Sequence, residues 1–153
     1  WNNGGWSLTD MREYTNGEFF EKLPLVLQKF IEPVIKKSTA GNKSTEIIET
    51  VDKCFLLSTI EVNGNTSEPY SLEGKQYPIF TDNASRIKCL ANGEGAAAYW
   101  WLRSPNPGID YSFYGVHNYG HWGNYWSASY AYGVCVGFCI GNPNNPALDA
   151  PDA

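Results

Sequence analysis

Residues 130–140, near the end of the chain, alternate without exception between large and small side chains. The large members of this segment are Tyr130, Tyr132, Val134, Val136, Phe138 and Ile140. Because successive side chains of a strand point to opposite faces, the alternation predicts a β-strand with one bulky face and one small face. The small face, which carries only alanine, glycine and cysteine, indicates close packing against another strand or sheet.

The cysteines are too few and too scattered for a disulfide-rich scaffold. They are Cys54, Cys89, Cys135 and Cys139. On the expected strand, Cys135 and Cys139 lie four residues apart, or roughly 13 Å, which exceeds the reach of a disulfide bond. No two cysteines form a Cys-x-x-Cys pair, so we expect buried free thiols and no structural zinc site.

Charged residues are divided unequally along the chain. All eleven lysines and arginines lie at or before Arg103, and only Asp110, Asp149 and Asp152 carry charge after it. The segment 111–132 consists mainly of Tyr, Asn, Gly, Ser and His, which resembles the composition of antibody binding loops. Disordered tails are poor in aromatic residues, whereas this segment is rich in them. The composition therefore predicts an ordered binding surface at 111–132.

Overall composition indicates one globular domain. We assign residues 1–142 to that domain and 143–153 to a Pro/Asn/Asp-rich tail. The net charge of −5 is unfavourable for nucleic-acid binding, and no apolar run is long enough to cross a membrane. The chain opens on Trp1 without a signal peptide, which favours a domain taken from a longer protein.

The first half of the chain predicts helix followed by strand. Ser7 or Thr9 can cap a short helix over 11–14, and Asn16-Gly17 is a typical end for it. A second helix is predicted from apolar residues at helical spacing, with a break or kink near Pro33. Those apolar residues are Leu23, Leu27, Phe30 and Val34. Residues 40–44 are expected to form a loop, and the apolar run 54–62 predicts a buried strand.

Candidate catalytic residues are sparse. His117 and His121 are the only histidines, and the Asn and Gly between them make the helix of a zinc-binding His-x-x-x-His pair implausible. Asp110 with Ser112, Ser127 or Ser129 is a conceivable triad, but no Gly-x-Ser-x-Gly elbow accompanies it. We therefore expect no enzyme activity, no metal and no cofactor.

Several segments, taken in their order and spacing, resemble a bacterial and phage domain of unknown function that is labelled DUF6273. The segments are Gly4-Gly5-Trp6-Ser7 with Met11-Arg12 and Asn16, Phe55-Leu56-Leu57-Ser58 with Glu61-Val62, Glu73-Gly74-Lys75-Gln76-Tyr77, Trp100-Trp101-Leu102-Arg103-Ser104-Pro105, and Gly133-Val134 through Phe138-Cys139-Ile140. One departure is that the family tends to close with Gly-Val-Arg-Pro, where this chain has Cys135-Val136. Any role of that arginine is therefore in doubt here.

The resemblance implies an α+β, C-type-lectin-like fold: two helices packed on a small twisted antiparallel sheet, with long ligand-binding loops. Some relatives resemble the variable proteins of diversity-generating retroelements, in which adenines of Asn codons are randomised near the C-terminus. Such randomisation never produces Trp, so Trp122 and Trp126 would be fixed framework residues, structural like Trp100 and Trp101. The ligand-binding, diversified positions would be drawn from Tyr111, Phe113, Tyr114, His117, Asn118, Tyr119, His121, Asn124, Tyr125, Tyr130 and Tyr132.

Three functions are compatible with this resemblance. The leading hypothesis is a receptor- or surface-recognition domain with a hypervariable face, on a phage virion or a bacterial cell surface, with a protein or cell-surface ligand. The second is a glycan-binding lectin domain; Glu-Pro-Asn, Gln-Pro-Asp and Trp-Asn-Asp signatures are absent, so calcium is not implied. The third is a catalyst related to formylglycine-generating enzymes, which would need the cysteine pair Cys135/Cys139. Nucleic-acid partners and membrane insertion are not expected, and the oligomeric state stays open.

Overall fold

A computed structural model describes residues 1–91 and 95–141. The tail expected at 143–153 lies outside the described residues. The fold is mixed α+β, with short helices and small, mainly antiparallel sheets. No helix among the described residues is both long and apolar enough to cross a bilayer.

The N-terminal helical segment begins as predicted but does not end as predicted. A 3₁₀ turn at Gly5–Leu8 leads to α1 (Asp10–Tyr14), and the Thr9 side chain caps α1 by accepting from the Arg12 backbone N–H at 3.1 Å. The expected stop at Asn16-Gly17 is wrong, because the chain continues through a π turn at Thr15–Phe19 into α2 (Phe20–Lys22). Asn16 is held inside this turn by hydrogen bonds to the backbone of residues 53 and 54.

The second predicted helix is also largely wrong. Only α3 (Leu25–Gln28) is helical, and after β1 (Ile31–Glu32) the chain forms a hairpin of β2 (Val34–Gly41) and β3 (Ser44–Asp52). Residues 42 and 43 form its tight turn with positive φ angles, which confirms the loop expected at 40–44. The hairpin escaped prediction because its buried residues are mostly polar. They include Lys36, Ser38, Thr39, Thr50 and Asp52.

The strand predicted at 54–62 ends early. β4 covers only Phe55–Leu56, and Ser58 then caps α4 (Thr59–Asn63). Ser58 and Glu61 form a reciprocal capping box, in which each side chain accepts from the other residue's backbone N–H. The Ser-x-x-Glu spacing of this box was legible in the sequence, but the apolar run around it obscured the signal.

The remaining elements build the central sheet. A 3₁₀ turn at Tyr70–Leu72 and α5 (Asn83–Arg86) precede a two-stranded pair of β5 (Lys88–Cys89) and β6 (Ala97–Ala98). The central sheet has four strands in the order β10-β7-β8-β9. Their bounds are β7 Trp100–Pro105, β8 Ser112–Val116, β9 Asn124–Ser127 and β10 Gly133–Val134. β7–β8 and β8–β9 are antiparallel, whereas β10 runs parallel to β7.

The closing segment is extended, but it is not one strand with one buried face. β10 pairs with β7, β11 (Val136–Gly137) pairs with β4, and β12 (Cys139–Ile140) pairs with β1. Large residues are therefore not all buried: Val134 and Ile140 are exposed, while the smaller Cys135 and Cys139 pack against the core. The close approach expected of the small residues is present, since a Cβ on Gly133 would lie 2.9 Å from the Tyr99 carbonyl oxygen. All four cysteines are free.

The core holds a hydrophobic cluster and two buried polar networks. The cluster comprises Trp6, Phe55, Leu56, Leu57, Val62, Phe80, Trp100, Trp101, Leu102, Phe113 and Val116. In the first network, Asp52 accepts hydrogen bonds from Trp6 Nε1 at 2.8 Å and from Arg12 Nε at 2.6 Å. These two bonds join the N-terminal helical segment to the hairpin. Trp6 of the Gly-Gly-Trp-Ser motif and Arg12 of the Met-Arg motif therefore share one partner, Asp52.

The second network is centred on Arg103, whose side chain is 0% exposed. Its guanidinium donates to the carbonyl oxygens of Lys37, Leu56 and Glu73 at 2.7 to 2.9 Å and to Glu61 Oε2 at 2.5 Å. Lys36 Nζ lies 3.0 Å from the other oxygen of Glu61. Burial acts to raise the pKa of Glu61, but Arg103 and Lys36 outweigh it and lower that pKa. The Arg-Ser-Pro motif is therefore structural.

Glu73 lies in the same network but with the opposite protonation behaviour. Its carboxylate accepts from the Thr39 backbone N–H at 2.9 Å and from the Ser104 hydroxyl. Burial raises the pKa of Glu73 to about 7 despite the nearby Arg103, because no basic side chain is bonded directly to it. A carboxyl with a raised folded-state pKa stabilises the fold most when protonated, so its contribution is lost as pH rises through about 7.

We predict that Glu73→Gln removes a pH dependence of stability. In the parent chain, the free energy of unfolding should fall by roughly 3 kcal/mol between pH 5 and pH 8, since the unfolded carboxyl ionises at lower pH. The glutamine is neutral throughout and keeps an oxygen acceptor for Thr39, so its profile should be flat over this range. Urea unfolding at a series of pH values measures the difference. Equal slopes in both proteins would contradict the assignment.

Candidate functional site

The register of the central sheet divides the expected binding residues between two faces. Phe113 lies opposite Trp126, and Tyr114 lies opposite Tyr125. Because directly opposed residues share a face, Phe113 and Trp126 lie on one side of the sheet and the two tyrosines lie on the other. The segment 111–132 therefore does not present a single surface.

One face carries a connected set of rings, which we call the aromatic cluster. Its members are Tyr99, His117, Tyr119, Trp126, Tyr130 and Tyr132. Tyr99 stacks on Tyr132 with ring centroids 5.0 Å apart, and Trp126 meets both rings edge to face. The cluster ends at two exposed rings, Tyr119 (55% exposed) and Tyr130 (54% exposed). It thus extends from the protein interior to solvent.

Two features hold the aromatic cluster in place. The Trp126 ring lies 6.1 Å from the buried Trp101 ring, and Tyr132 lies 5.2 Å from it, so the cluster is anchored on the core. Gly115 leaves the space that Trp126 occupies, since a Cβ there would lie 2.8 Å from the Trp126 ring and 2.7 Å from the Trp100 carbonyl oxygen. The framework role expected for Trp126 fits this position.

The loop after β8 is closed by its own backbone. The His117 N–H donates to the His121 carbonyl at 2.9 Å, and the Gly120 N–H donates to the His117 carbonyl at 2.8 Å. Gly120 has a φ of 82°, and a Cβ there would lie 1.7 Å from the Asn83 carbonyl oxygen. Only glycine permits this approach, so the loop is docked on α5 and its side chains have defined positions.

His117 is oriented by the neighbouring rings of Tyr99 and Tyr119. Its Nε2 lies 2.7 Å from the Tyr99 hydroxyl, and its ring lies 3.8 Å from that of Tyr119. Within the described residues, His117 Nδ1 has no hydrogen-bond partner, and no group of three or more His, Cys, Asp or Glu side chains is arranged to hold a metal ion.

The triad that the sequence left open is not assembled. The Ser127 hydroxyl is bonded to that of Ser129 at 2.9 Å, and the buried Ser112 hydroxyl has no hydrogen-bond partner among the described residues. Among the described residues, neither ring nitrogen of His117 is hydrogen-bonded to any of these three serines, since Nε2 is engaged by Tyr99 and Nδ1 has no partner.

The opposite face of the sheet carries a smaller aromatic group. Tyr114 packs edge to face against Tyr70 at 5.3 Å and against Tyr125 at 5.9 Å. Burial, followed by the neighbouring Tyr114, raises the pKa of the Tyr70 hydroxyl. Tyr125 is exposed, whereas Tyr114 is partly buried against the core.

The structure separates the expected binding residues by exposure. Tyr111, Tyr119, His121, Tyr125 and Tyr130 are exposed. Tyr114, His117, Asn118, Asn124 and Tyr132 are partly buried. Phe113 is only 8% exposed and belongs to the core, so its side chain is not at the surface.

Two residues were misjudged or missed at the sequence level. Trp122 was expected to be structural, but it is 37% exposed and lies in the loop that follows β8. Tyr99 was not considered, although it bonds His117 and stacks on Tyr132. A signal for Tyr99 was present: it immediately precedes the Trp100-Trp101 motif at the start of β7 and lies two residues before Trp101, a spacing that would share a face if the strand extended to it.

We predict that the rings of the site differ sharply in their effect on stability. Trp126→Ala should lower the free energy of unfolding by roughly 3 kcal/mol, because it leaves a cavity beside Trp101. Tyr119→Ala, Tyr130→Ala and Trp122→Ala should change it by less than about 1 kcal/mol, because about half of each Tyr residue's surface is exposed and Trp122 lies at the surface in a loop. Urea unfolding measures all four variants, and a Trp122→Ala loss as large as that of Trp126→Ala would restore the framework role for Trp122.

Comparison with known proteins places the chain in a family but gives no characterised relative. No curated protein matches, and no solved structure matches. The model of a family described as "Domain of unknown function (DUF6273)" matches residues 1–142, which is nearly the whole chain. The chain belongs to the DUF6273 family.

Proposed function

We propose that the chain is a recognition domain that binds the surface of a protein partner and performs no catalysis. The observation that carries the proposal is the aromatic cluster, which brings exposed rings to solvent on a support anchored in the core. The binding surface would be the outer edge of this cluster together with the neighbouring loop. Its residues are Tyr119, His121, Trp122 and Tyr130.

The physical argument rests on preorganisation. Tyr and Trp provide a large contact area with only two side-chain torsions to fix, so they lose little entropy on binding. Tyr119 rests on His117, which is fixed by Tyr99, and Tyr130 lies 5.8 Å from the packed Tyr132 ring. Side chains that are already positioned in the free protein lose less conformational entropy on binding, which favours affinity.

The arrangement of catalytic-type groups supports binding over catalysis. Within the described residues, the serines of 111–132 are not bonded to either histidine, and His117 is engaged by Tyr99. Cys135 and Cys139 are both free and lie on the strand segment that passes over the core. Burial raises the pKa of the Cys135 thiol, which disfavours the reactive thiolate.

We propose further that the α+β fold is C-type-lectin-like. Support comes from two helical segments, α1 and α4, beside a small antiparallel sheet, and from the loop at 117–123 that joins β8 to β9. The pairing of β1 with β12 joins the early and late parts of the chain, so that the loops of the central sheet can vary without loosening the ends.

A hypervariable origin for the surface is part of the proposal. Diversification is tolerable only where side chains contribute little to stability, which restricts it to exposed positions. The exposed positions are Tyr111, Tyr119, His121, Tyr125 and Tyr130, and of these Tyr119, His121 and Tyr130 belong to the proposed binding surface. Phe113 in the core and the packed Tyr132 would tolerate few substitutions.

We predict a specific pattern in the DNA around the gene. A near-identical template copy should lie near a reverse-transcriptase gene and differ from the coding copy at adenines, with Tyr119, His121 and Tyr130 among the altered codons. The codons of Phe113, Trp122 and Trp126 should be unaltered. Phe113 lies in the core and Trp126 packs against it, and no Asn codon can become a Trp codon. Sequencing the locus checks this prediction. The lack of a template would refute the hypervariable origin but not the binding function.

We predict that binding to target cells depends on the exposed rings. The purified chain should bind intact bacteria of its target type, and Tyr119→Ala with Trp122→Ala should weaken binding at least about tenfold, as expected for aromatic residues at the centre of an interface. Tyr125→Ala is the matched control, since Tyr125 is similarly exposed but lies on the opposite face of the sheet. Flow cytometry with the labelled chain compares the parent chain, the double variant and the control.

Treatment of the cells identifies the kind of ligand. Protease treatment should abolish binding, whereas periodate oxidation of glycans should leave it intact. The reverse result would favour a glycan-binding lectin on a phage or bacterial surface. If Tyr125→Ala weakened cell binding as much as the double variant did, the aromatic cluster would not be the binding surface.

A further inference from the structure

A cleft of about 330 Å³ lies between the N-terminal helical segment and the central sheet. Leu8 and Met11 line one side, and Trp101 and Phe113 line the other. Trp1 stands at the cleft with its side chain 86% exposed. The volume is near the lower end of the range for small-molecule sites, roughly 300–1,000 Å³. No member of the aromatic cluster lines this cleft, so it is a separate surface.

The charge of the cleft is one-sided. Of the two ionisable side chains that line it, Arg103 is buried and its guanidinium is engaged by Glu61 and three carbonyl oxygens. Arg103 therefore forms part of the cleft wall and contributes no free positive charge. Asp10 is exposed and forms no ion pair within the described part of the chain. The accessible side-chain charge is thus a single carboxylate.

The surroundings of Asp10 strengthen this negative field. Asp10 also borders a neighbouring depression lined by Glu13 and Glu18, of which Glu18 is paired with Lys22. The nearest arginine in sequence, Arg12, is bonded to the buried Asp52 at 2.6 Å. Glu13 forms no ion pair among the described residues, so the depression that Asp10 shares with the cleft holds a second free carboxylate.

We propose that this cleft binds an organic cation, in the form of an alkylated ammonium group. The face of a tryptophan ring attracts a cation, and tryptophan is the most effective aromatic residue for this purpose. Trp1 and Trp101 provide such rings, Leu8 and Met11 provide apolar surface for alkyl groups, and Asp10 neutralises the charge. An anion would be repelled by Asp10, and a neutral apolar ligand would desolvate that carboxylate without compensation.

The test uses a charged ligand and its neutral isostere. The ¹⁵N-labelled chain is titrated with choline or with 3,3-dimethyl-1-butanol at constant ionic strength, and the tryptophan indole N–H signals are followed by NMR. Choline should shift the signals of Trp1 and Trp101 saturably, and the neutral analogue should bind at least about fivefold more weakly, because it lacks the cation–π attraction. A trimethyllysine peptide that binds more tightly than choline would assign the group to a protein side chain; equal or weaker binding would assign it to a free small molecule.

Matched variants make the site assignment specific. Asp10→Asn and Trp1→Ala should each weaken choline binding at least about fivefold, and both positions are exposed, so the fold should survive. Glu46→Gln removes an exposed carboxylate that lines neither the cleft nor the neighbouring depression, and it should have no effect. The proposal would be overturned if choline gave no saturable shift, or if its shifts were confined to Trp122 and Trp126. It would also be overturned if the neutral analogue bound as tightly as choline, or if Asp10→Asn left choline binding unchanged. None of these results bears on cell binding by the aromatic cluster.

Discussion

The buried guanidinium of Arg103 is the constraint on which the rest of the structure depends. From β7 it donates to carbonyl oxygens in β2 and β4 and in the segment that contains Glu73, and it pairs with Glu61 in α4. Loss of one partner of a buried ion pair typically costs on the order of 3–5 kcal/mol, because the other charge stays buried without compensation. Lys36 adds a second cation to Glu61, so one buried carboxylate joins charges from the hairpin, α4 and β7 in the core.

The buried polar networks explain which parts of the fold could be predicted. The cap at Thr9 and the extended closing segment follow from local rules, and both occur in the structure. The hairpin does not follow from local rules, because its buried side includes Lys36 and Asp52. Burial of these residues makes sense only when their partners, Glu61 for the lysine and Trp6 with Arg12 for the aspartate, are known from distant parts of the chain.

For the candidate site, composition predicts which segment is involved, whereas strand register decides which of its residues share a face. Composition alone singled out the segment 111–132, but it could not separate Phe113 from its neighbour Tyr114. Pairing with β9 puts Phe113 beside Trp126 and puts Tyr114 beside Tyr125, on opposite faces. Exposure of Trp122 depends on the closed loop between the two strands, and that loop depends on the close contact of Gly120 with α5. Neither relation is local in sequence.

Trp101 connects the two proposed binding surfaces. One side of its ring contacts Trp126 and Tyr132 of the aromatic cluster, and the residue also lines the cleft beside Trp1 and Asp10. A ligand in the cleft would therefore touch the same ring that supports Trp126. If such a ligand changes the affinity of the aromatic cluster for its partner, linkage requires that the partner change the affinity of the cleft by the same factor. The 9% exposure of Trp101 and its packing against Trp126 and Tyr132 limit how far the ring can move, so we expect weak coupling and two largely independent sites.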